Sequence, residues 1–381
     1  MSDYCEQIAR GLARAGEEVH VWAPPIPAPP SPPLQADGVM VHRLSSQFHP
    51  GALKELGEGL DRCPGPRRLF VQYVAGAFGY RAMNLAFCVW LHQRRSEPLW
   101  LMFHEYAYPM GWRLKPAHNL LGVVTPAMSR ILASRAQRIF VSTPAWVKRL
   151  PASVASSRPI EWLPIPSNIP ARVDEARVRT VRETLTGGRP GILIGHFGTY
   201  GRAITALLDE ILPALLSRDA ARRVVLMGRG SIEYASQLCA RHPALTDRVT
   251  ATGGLPPDDL AAHIRACDVI VQLYDDGATS RRGSLMACLA LGMPVVTNLG
   301  RSSEGIWLET LAVESAGDAL PFAITMAAER LLRAPERWSD LGRRAAELYA
   351  SRFSLERSLA TLREVAAREE AGAATAVAPA P

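Results

Sequence analysis

The stretch from Val269 to Asn298 limits the folds open to this chain more than any other. It opens with an apolar run, Val269-Ile270-Val271-Gln272-Leu273, and continues in a polar turn from Tyr274 to Gly283. Ser284 to Leu291 reads as a helix of small and apolar residues that stops at Gly292, and Pro294 to Asn298 reads as the next strand. A strand-loop-helix-strand unit places its loop at the carboxyl edge of the sheet, where open α/β folds bind ligands. Ser280 and Ser284 are both suited to cap the helix, whose free N–H groups attract anions. Arg281 and Arg282 add planar, permanently charged donors that match phosphate. The segment therefore reads as a phosphate pocket, against the blander reading of a solvated arginine pair at an ordinary helix start.

The chain has 381 residues, long for one core, so two domains of similar size are expected. At 48% hydrophobic and 21% charged residues it is not a mainly disordered chain. No apolar run approaches the roughly 20 residues that span a bilayer, and the first residues lack the basic and apolar regions of a signal peptide. The six cysteines, scattered without metal-ligand or disulfide-framework spacing, read as reduced thiols and point to the cytoplasm. A net charge of +7 permits contact with anionic ligands or lipid. The arginines are dispersed and no nucleic-acid motif accompanies them, so no nucleic-acid partner is expected. Nor does the sequence call for a metal.

Helix and strand patterns alternate almost throughout, the mark of an α/β fold with parallel sheets. Strands are expected at Val19 to Trp22, Val39 to His42, Leu69 to Tyr73, Trp100 to His104, Arg138 to Ser142 and Glu161 to Pro164. A proline-rich loop covers Pro24 to Pro33. A second series of strands is expected at Gly191 to Phe197, Arg223 to Met227, Arg248 to Thr252, Val269 to Leu273 and Pro294 to Thr297, with closing helices at Pro321 to Leu332 and Ser339 to Glu369. The expected organisation is an N-terminal domain over 1–168, a linker over 169–190, a C-terminal domain over 191–370 and a disordered Ala/Pro-rich tail over 371–381.

Several segments recur in a familiar order. They include Tyr4 to Val21, Phe140 to Leu150 and the linker Glu161 to Asn168 in the first half. In the second half they include Gly195-His196-Phe197-Gly198-Thr199-Tyr200, Val224 to Ser231, Thr252 to Leu260, Ala266-Cys267-Asp268-Val269, Ala287 to Val296 and Arg352-Phe353-Ser354. In this order the chain resembles, over nearly its whole length, the group 1 retaining glycosyltransferases of the GT-B fold. The resemblance implies two Rossmann-like parallel-sheet domains facing a central cleft, with a C-terminal helix packing back toward the N-terminal domain. It implies transfer of a sugar from a nucleotide-diphosphate sugar, a co-substrate rather than a cofactor, to an acceptor hydroxyl with retention, the activity of a hexosyltransferase. The acceptor would be a carbohydrate, a lipid-linked molecule or a small molecule, and the location cytoplasmic or peripheral at the inner membrane face. Fixed arginines and helix-start N–H groups would stabilise the charge that grows on the diphosphate.

Under this resemblance His104 and the neighbouring Glu105 are the candidate catalytic residues, and the donor is held by Gly198, Thr199, Arg202, Gly228, Gly230, Gly254, Asp276, Ser280, Arg281, Arg282 and Ser284. For single residues the bland readings stand beside these: His104 satisfying its own loop, Glu105 simply solvated, Asp276 capping a turn, Gly228 and Gly230 a lone G-x-G of little specificity. Glu304 falls close to the glutamate of a family turn, or is an ordinary capping residue; Gln72-Tyr73-Val74 and Tyr80-Arg81 would line the acceptor side, with packing as the plainer reading for Tyr73 and Tyr80.

Three departures from the pattern stand out. Thr279 and Ala287 occupy the positions where the family carries two glutamates separated by seven residues, and Ala287 offers no side-chain acceptor for a donor ribose. Thr199 replaces the arginine of the first donor loop, and Arg281 and Arg282 are expected to take over its phosphate contact. The family's first strand and Gly-Gly loop have no counterpart ahead of Ser2, and an upstream start is expected because a lost central strand exposes unpaired edges. These departures motivate a second reading, a catalytically inactive relative that binds a nucleotide sugar or glycan.

Overall fold

The computed structural model describes residues 2–26, 34–108, 110–111 and 115–377. The chain divides into two compact units, Met1–Pro164 with Leu359–Pro381, and Ile165–Ser358. Most of the proline-rich loop lies outside the described residues.

The first unit runs α1 (Ser2–Arg14), β1 (Val19–Ala23), β2 (Leu34–Ala36), β3 (Val39–Arg43), α2 (Pro50–Arg62), β4 (Leu69–Tyr73), α3 (Leu85–Gln93), β5 (Leu99–Phe103), α4 (Pro116–Arg135), β6 (Arg138–Val141), α5 (Ala152–Ser157) and β7 (Ile160–Trp162). Its strands form two separate sheets, β1-β3-β2 and β4-β5-β6-β7. All neighbours are parallel except the short β2, which the sequence pattern did not announce and which pairs antiparallel with β3. β1 and β4 do not pair, so each is an edge, and burial follows from that. Every residue of β5 is buried, as an apolar strand covered on both faces must be, whereas β1 and most of β4 are half-buried.

The second unit runs α6 (Glu175–Thr186), β8 (Leu193–Phe197), α7 (Arg202–Ser217), β9 (Arg223–Met227), α8 (Ser231–Arg241), β10 (Val249–Gly253), α9 (Pro257–Ala266), β11 (Val269–Gln272), α10 (Gly283–Ala290), β12 (Val295–Thr297), α11 (Ile306–Thr310), β13 (Glu314–Ser315), α12 (Pro321–Leu332) and α13 (Trp338–Leu348). Six parallel strands stand in the order β10-β9-β8-β11-β12-β13. Ile194, Val224, Leu226, Val269, Val271 and Val296 line one face and form a core with Leu208, Leu212, Leu238, Ile324 and Leu331 of α7, α8 and α12. From β8 the chain winds outward in one direction and from β11 in the other. That reversal creates a crevice beyond the carboxyl ends of β8 and β11, the place where open sheets of this kind hold ligands.

The closing helix expected over Ser339 to Glu369 is interrupted. α13 ends at Leu348, a π-helical turn covers Tyr349–Phe353, and α14 (Leu355–Val377) begins after Ser354. Phe353 is fully buried against Trp307, so packing of this aromatic sets the register of the turn. From Leu359 onward α14 belongs to the first unit. Glu369 accepts from Trp100 Nε1 at 3.2 Å and Arg138 Nε at 2.8 Å. The segment from Ala371, expected to be disordered, continues the helix to Val377, in keeping with the helix preference of its alanines; residues 378–381 lie outside the described residues.

Candidate functional site

The crevice between β8 and β11 is built by turns that need little side chain. After β8, Gly198 donates its N–H to the Met227 carbonyl at 3.1 Å, and after β9, Gly228 donates to the Gly253 carbonyl at 2.9 Å. Gly228 has φ +110°, and a Cβ there would lie 2.2 Å from the Gly198 carbonyl oxygen, so only glycine allows the two turns to meet. Gly230, also left-handed at φ 85°, precedes α8. Thr199, Arg202, Gly230 and Gly254 are exposed at this edge, and Arg202 is the first residue of α7. Among the described residues the Arg202 guanidinium has no carboxylate partner.

The loop after β11 is fixed by polar bonds to the loop after β12. Asn298 Oδ1 accepts from Tyr274 N–H at 2.9 Å and its Nδ2 donates to the Tyr274 carbonyl at 2.7 Å. Gly277, at φ +91°, sits where a Cβ would be 2.2 Å from Gly300 N. Glu304 accepts from Ser280 N–H at 3.1 Å, from the Ser280 hydroxyl at 2.7 Å and from Trp307 Nε1 at 2.9 Å. Thr279, Ser280 and Ala287 are fully buried.

The two serines expected as helix caps do not serve in that way. The residue at the N-cap of α10 is Arg282, with no side-chain cap bond. The Ser280 hydroxyl is spent on Glu304, and Ser284 Oγ lies 2.9 Å from the Tyr274 hydroxyl. Both hydroxyls are drawn to partners beyond the helix start, Glu304 from the loop after β12 and Tyr274 from the beginning of the same loop.

Arg281 and Arg282 do converge at the helix start, but each meets a carboxylate of its own loop. Arg281 Nη2 lies 2.8 Å from Asp276 Oδ2, Arg282 pairs with both Asp276 and Asp275, and the Arg282 guanidinium stands 5.0 Å from the centre of the Tyr274 ring. Burial alone would raise the Asp276 pKa; the Arg282 hydrogen bond and the charges of both arginines outweigh it and hold the carboxyl below its usual range. The loop thus presents two guanidiniums locked side by side with their charge balanced internally.

In the first unit His104 follows β5 directly. Its Nε2 is 2.8 Å from Gln72 Oε1, and its ring meets Tyr4 edge-on at 4.9 Å. Burial pushes its pKa down to about 4, so the imidazole is neutral near pH 7. With Gln72 Oε1 as acceptor the ring proton sits on Nε2. The His104 carbonyl accepts from Ser142 Oγ at 3.2 Å and Trp146 Nε1 at 3.1 Å. Glu105 is exposed. Tyr80 and Arg81 lie in a left-handed turn, with φ 49° and 51°, and Tyr73 is buried in the core against Phe78 and Phe103.

Sequence reasoning missed Asn298, Tyr274 and Trp307 as site-shaping residues, named Gln72 only within a segment that would line the acceptor side, and weighed Glu304 as a family match or an ordinary capping residue. The available signal was a polar side chain at the end of an apolar strand: Gln72 is the penultimate residue of β4 and Asn298 follows β12. Among the described residues no group of three or more His, Cys, Asp or Glu is placed to hold a metal ion, and no helix is long and apolar enough to cross a membrane.

Residues 1–166 match the family of the glycosyl transferase 4-like domain. Comparison with curated proteins by sequence finds no match. Solved structures share the fold at low identity. Sucrose-phosphate synthase from Thermosynechococcus elongatus is 17% identical, with 97% of this chain and 93% of that chain covered at a TM-score of 0.70. The UDP-forming α,α-trehalose-phosphate synthase from Burkholderia vietnamiensis is 13% identical, with 98% and 96% covered at 0.66. HepE from Anabaena, solved with UDP and glucose, is 15% identical, with 96% and 95% covered at 0.64. The resemblance to GT-B glycosyltransferases read from the sequence is borne out, by family over residues 1–166 and by fold over nearly the whole chain.

Proposed function

We propose that the protein is a glycosyltransferase that moves a hexosyl group from a nucleotide-diphosphate sugar to an acceptor hydroxyl with retention. The observation that carries this reading is the pair Arg281 and Arg282 at the start of α10, held at the topological switch of the second unit beside the glycine turns of Gly198 and Gly228. Guanidiniums and unsaturated helix N–H groups at a sheet edge suit a diphosphate, and the glycine turns let backbone approach the nucleotide. As the glycosidic bond breaks, negative charge collects on the departing diphosphate. Groups already fixed in place stabilise it without reorganising, and the Asp276 contacts supply that fixation. Thr199, Arg202, Gly230, Gly254 and Ser284 complete the donor edge.

His104 enters this scheme as a neutral hydrogen-bonding group rather than as an acid, since burial keeps it unprotonated. Glu105 is the exposed carboxylate next to it, available to an acceptor hydroxyl. The UDP bound by Anabaena HepE makes UDP-sugars the first donors to test.

A second reading, a binding protein without turnover, is favoured by one observation: Thr279 and Ala287 are fully buried and bring no carboxylate to the donor edge. The two readings separate in one experiment. Transfer and hydrolysis are measured with UDP-, GDP- and TDP-sugars alongside calorimetric binding, and the anomeric configuration of any product is read by NMR. Turnover with retained configuration supports the transferase, tight binding without turnover supports the binding protein, and no binding of any nucleotide sugar defeats both. Loss of binding in Arg281→Ala and Arg282→Ala, with the fold intact, is the expected result for the phosphate contact; unchanged binding in both removes it.

A further inference from the structure

The second unit buries a titratable side chain that the chemistry proposed so far does not use. His196 is the penultimate residue of β8, just ahead of the Gly198 turn, and is 2% exposed. Its Nδ1 lies 2.8 Å from the Val271 carbonyl oxygen, so Nδ1 carries the hydrogen and Nε2 is a bare lone pair. Among the described residues nothing bonds that nitrogen, although it is fully buried. A buried polar atom without a partner is costly, and each one calls for an explanation.

Gly198 governs what can reach it. A Cβ at residue 198 would lie 3.7 Å from His196 Nε2, an ordinary contact distance, and Gly198 itself is half-buried. Unlike Gly228, Gly198 is not forced by a backbone clash; it keeps a side chain off the ring nitrogen at the turn that forms the crevice.

Among the described residues the imidazole touches no charged group. Leu226 and Val271 flank it in the sheet. Tyr200 meets it edge-on at 5.4 Å, and Tyr234 of α8 stacks on Tyr200 with its hydroxyl 3.0 Å from Asp209 Oδ1 of α7. Burial pushes both phenols up, so neither ionises near neutral pH, and Asp209 is itself paired with Arg241. Burial likewise pushes His196 down to about 4, so the ring is neutral near pH 7.

Charge at the donor edge gives the ring a task. Thr199 stands where the family resemblance places an arginine, and Arg281 and Arg282 are balanced by Asp275 and Asp276. Arg202 and Arg229 are exposed, so water and salt screen them. A diphosphate over the Gly198 turn would bring negative charge against a buried basic nitrogen. One full charge about 4 Å away is worth about a thousandfold in a protonation equilibrium at the effective dielectric of protein sites.

We infer that His196 is a reserve cation of the donor site: the bound nucleotide-diphosphate sugar draws a proton from solvent onto Nε2, which donates it in a hydrogen bond to a diphosphate oxygen while Nδ1–H stays on the Val271 carbonyl. The inference rests on the transferase reading and adds to it a residue and a proton. The protonated ring is a buried, charge-assisted donor fixed by Val271, and it stabilises the leaving diphosphate without reorganising.

The test is calorimetric binding of UDP-glucose to the full chain without acceptor, with GDP- and TDP-glucose in its place if UDP-glucose does not bind. The phosphates of these sugars hold no proton that titrates near neutrality. Repeating the titration in buffers of different ionisation enthalpy counts the protons taken up. The free ring is neutral throughout the window and the bound ring is protonated, so affinity rises as pH falls, by about tenfold from about pH 8 to about pH 6. Uptake should grow toward one proton per donor over the same range. Uridine, which has no phosphate, should show neither effect. His196→Asn keeps an amide N–H for Val271 and deletes Nε2; it should abolish the uptake and bind UDP-glucose about tenfold more weakly at about pH 6. Should that variant fail to fold, the imidazole nitrogen resonances of the wild-type protein decide, since they move to the protonated position with UDP-glucose and not with uridine. Binding of a nucleotide sugar with no proton uptake overturns this inference alone, as does uptake that persists in His196→Asn or appears with uridine. No binding of any nucleotide sugar at any pH defeats the transferase reading, and this inference with it.

Discussion

Removing the Glu304 carboxylate should loosen the donor loop more than any other single change at the site. In Glu304→Ala the Ser280 N–H, the Ser280 hydroxyl and Trp307 Nε1–H lose their acceptor together. Ser280 and Trp307 are both essentially buried, so water reaches their donors poorly. A buried donor left without a partner costs about 1–3 kcal/mol. The hydroxyl can rotate to another acceptor, which leaves two obligatory losses. Glu304 itself is partly exposed and admits some water, so the lower half of the range applies, about 2–4 kcal/mol. For a unit of this size that corresponds to a fall in melting temperature of about 5–15 °C. Glu304→Gln keeps one oxygen for Ser280 but cannot accept a second full set of donors, and should lose about half as much. Thermal unfolding followed by circular dichroism gives the magnitude, and Trp307 fluorescence reports the local change. Donor affinity, measured by calorimetry, should fall in the same order. A Glu304→Ala protein that melts within about 2 °C of wild type, with unaltered tryptophan emission, would refute the reasoning.

Glu97 provides a pH test. Burial would raise its pKa, but hydrogen bonds from Arg94, Ser96 and Arg67 outweigh it and hold the carboxyl down at about 2. A folded pKa below the unfolded one contributes stability above pH 4.5 that is lost as pH falls toward 2, so Glu97→Gln should flatten the acid limb of urea midpoint against pH in that window. Gly228→Ala should cost at least about 2 kcal/mol, since it adds backbone strain to a clash with the Gly198 carbonyl, and should weaken nucleotide binding; an unchanged denaturation midpoint would contradict the close approach. Ala287→Glu introduces the residue type that the family resemblance places there, but puts a carboxylate at a fully buried position. It should lose about 3 kcal/mol or more in chemical denaturation, and a stable variant would mean that the donor edge is open to solvent at that point.

Much of the fold was legible because its signals are local. Leu69–Tyr73, Arg223–Met227 and Pro321–Leu332 have the bounds read from apolar runs and breakers, and most other strands shift by one or two residues. The glycine turn at Gly228 and the arginine pair at Arg281 and Arg282 were legible as residue types in a strand-loop-helix context. The caps at Ser280 and Ser284 were misread because a serine before a helix is a good local cap only when no stronger acceptor or donor lies within reach, and here Glu304 and Tyr274 do. The break at Tyr349–Phe353 was invisible in the helical pattern because its cause is a contact between Phe353 and Trp307.

By itself the sequence determined most of the strands and helices and the glycine turn at Gly228, since periodicity and turn chemistry act over a few neighbouring residues. The tertiary structure alone decided the partners: Glu304 beneath Ser280, Asp276 between two arginines, and Gln72 on His104. A carboxylate gains its meaning from what chain folding brings against it, and that depends on segments far apart in the sequence.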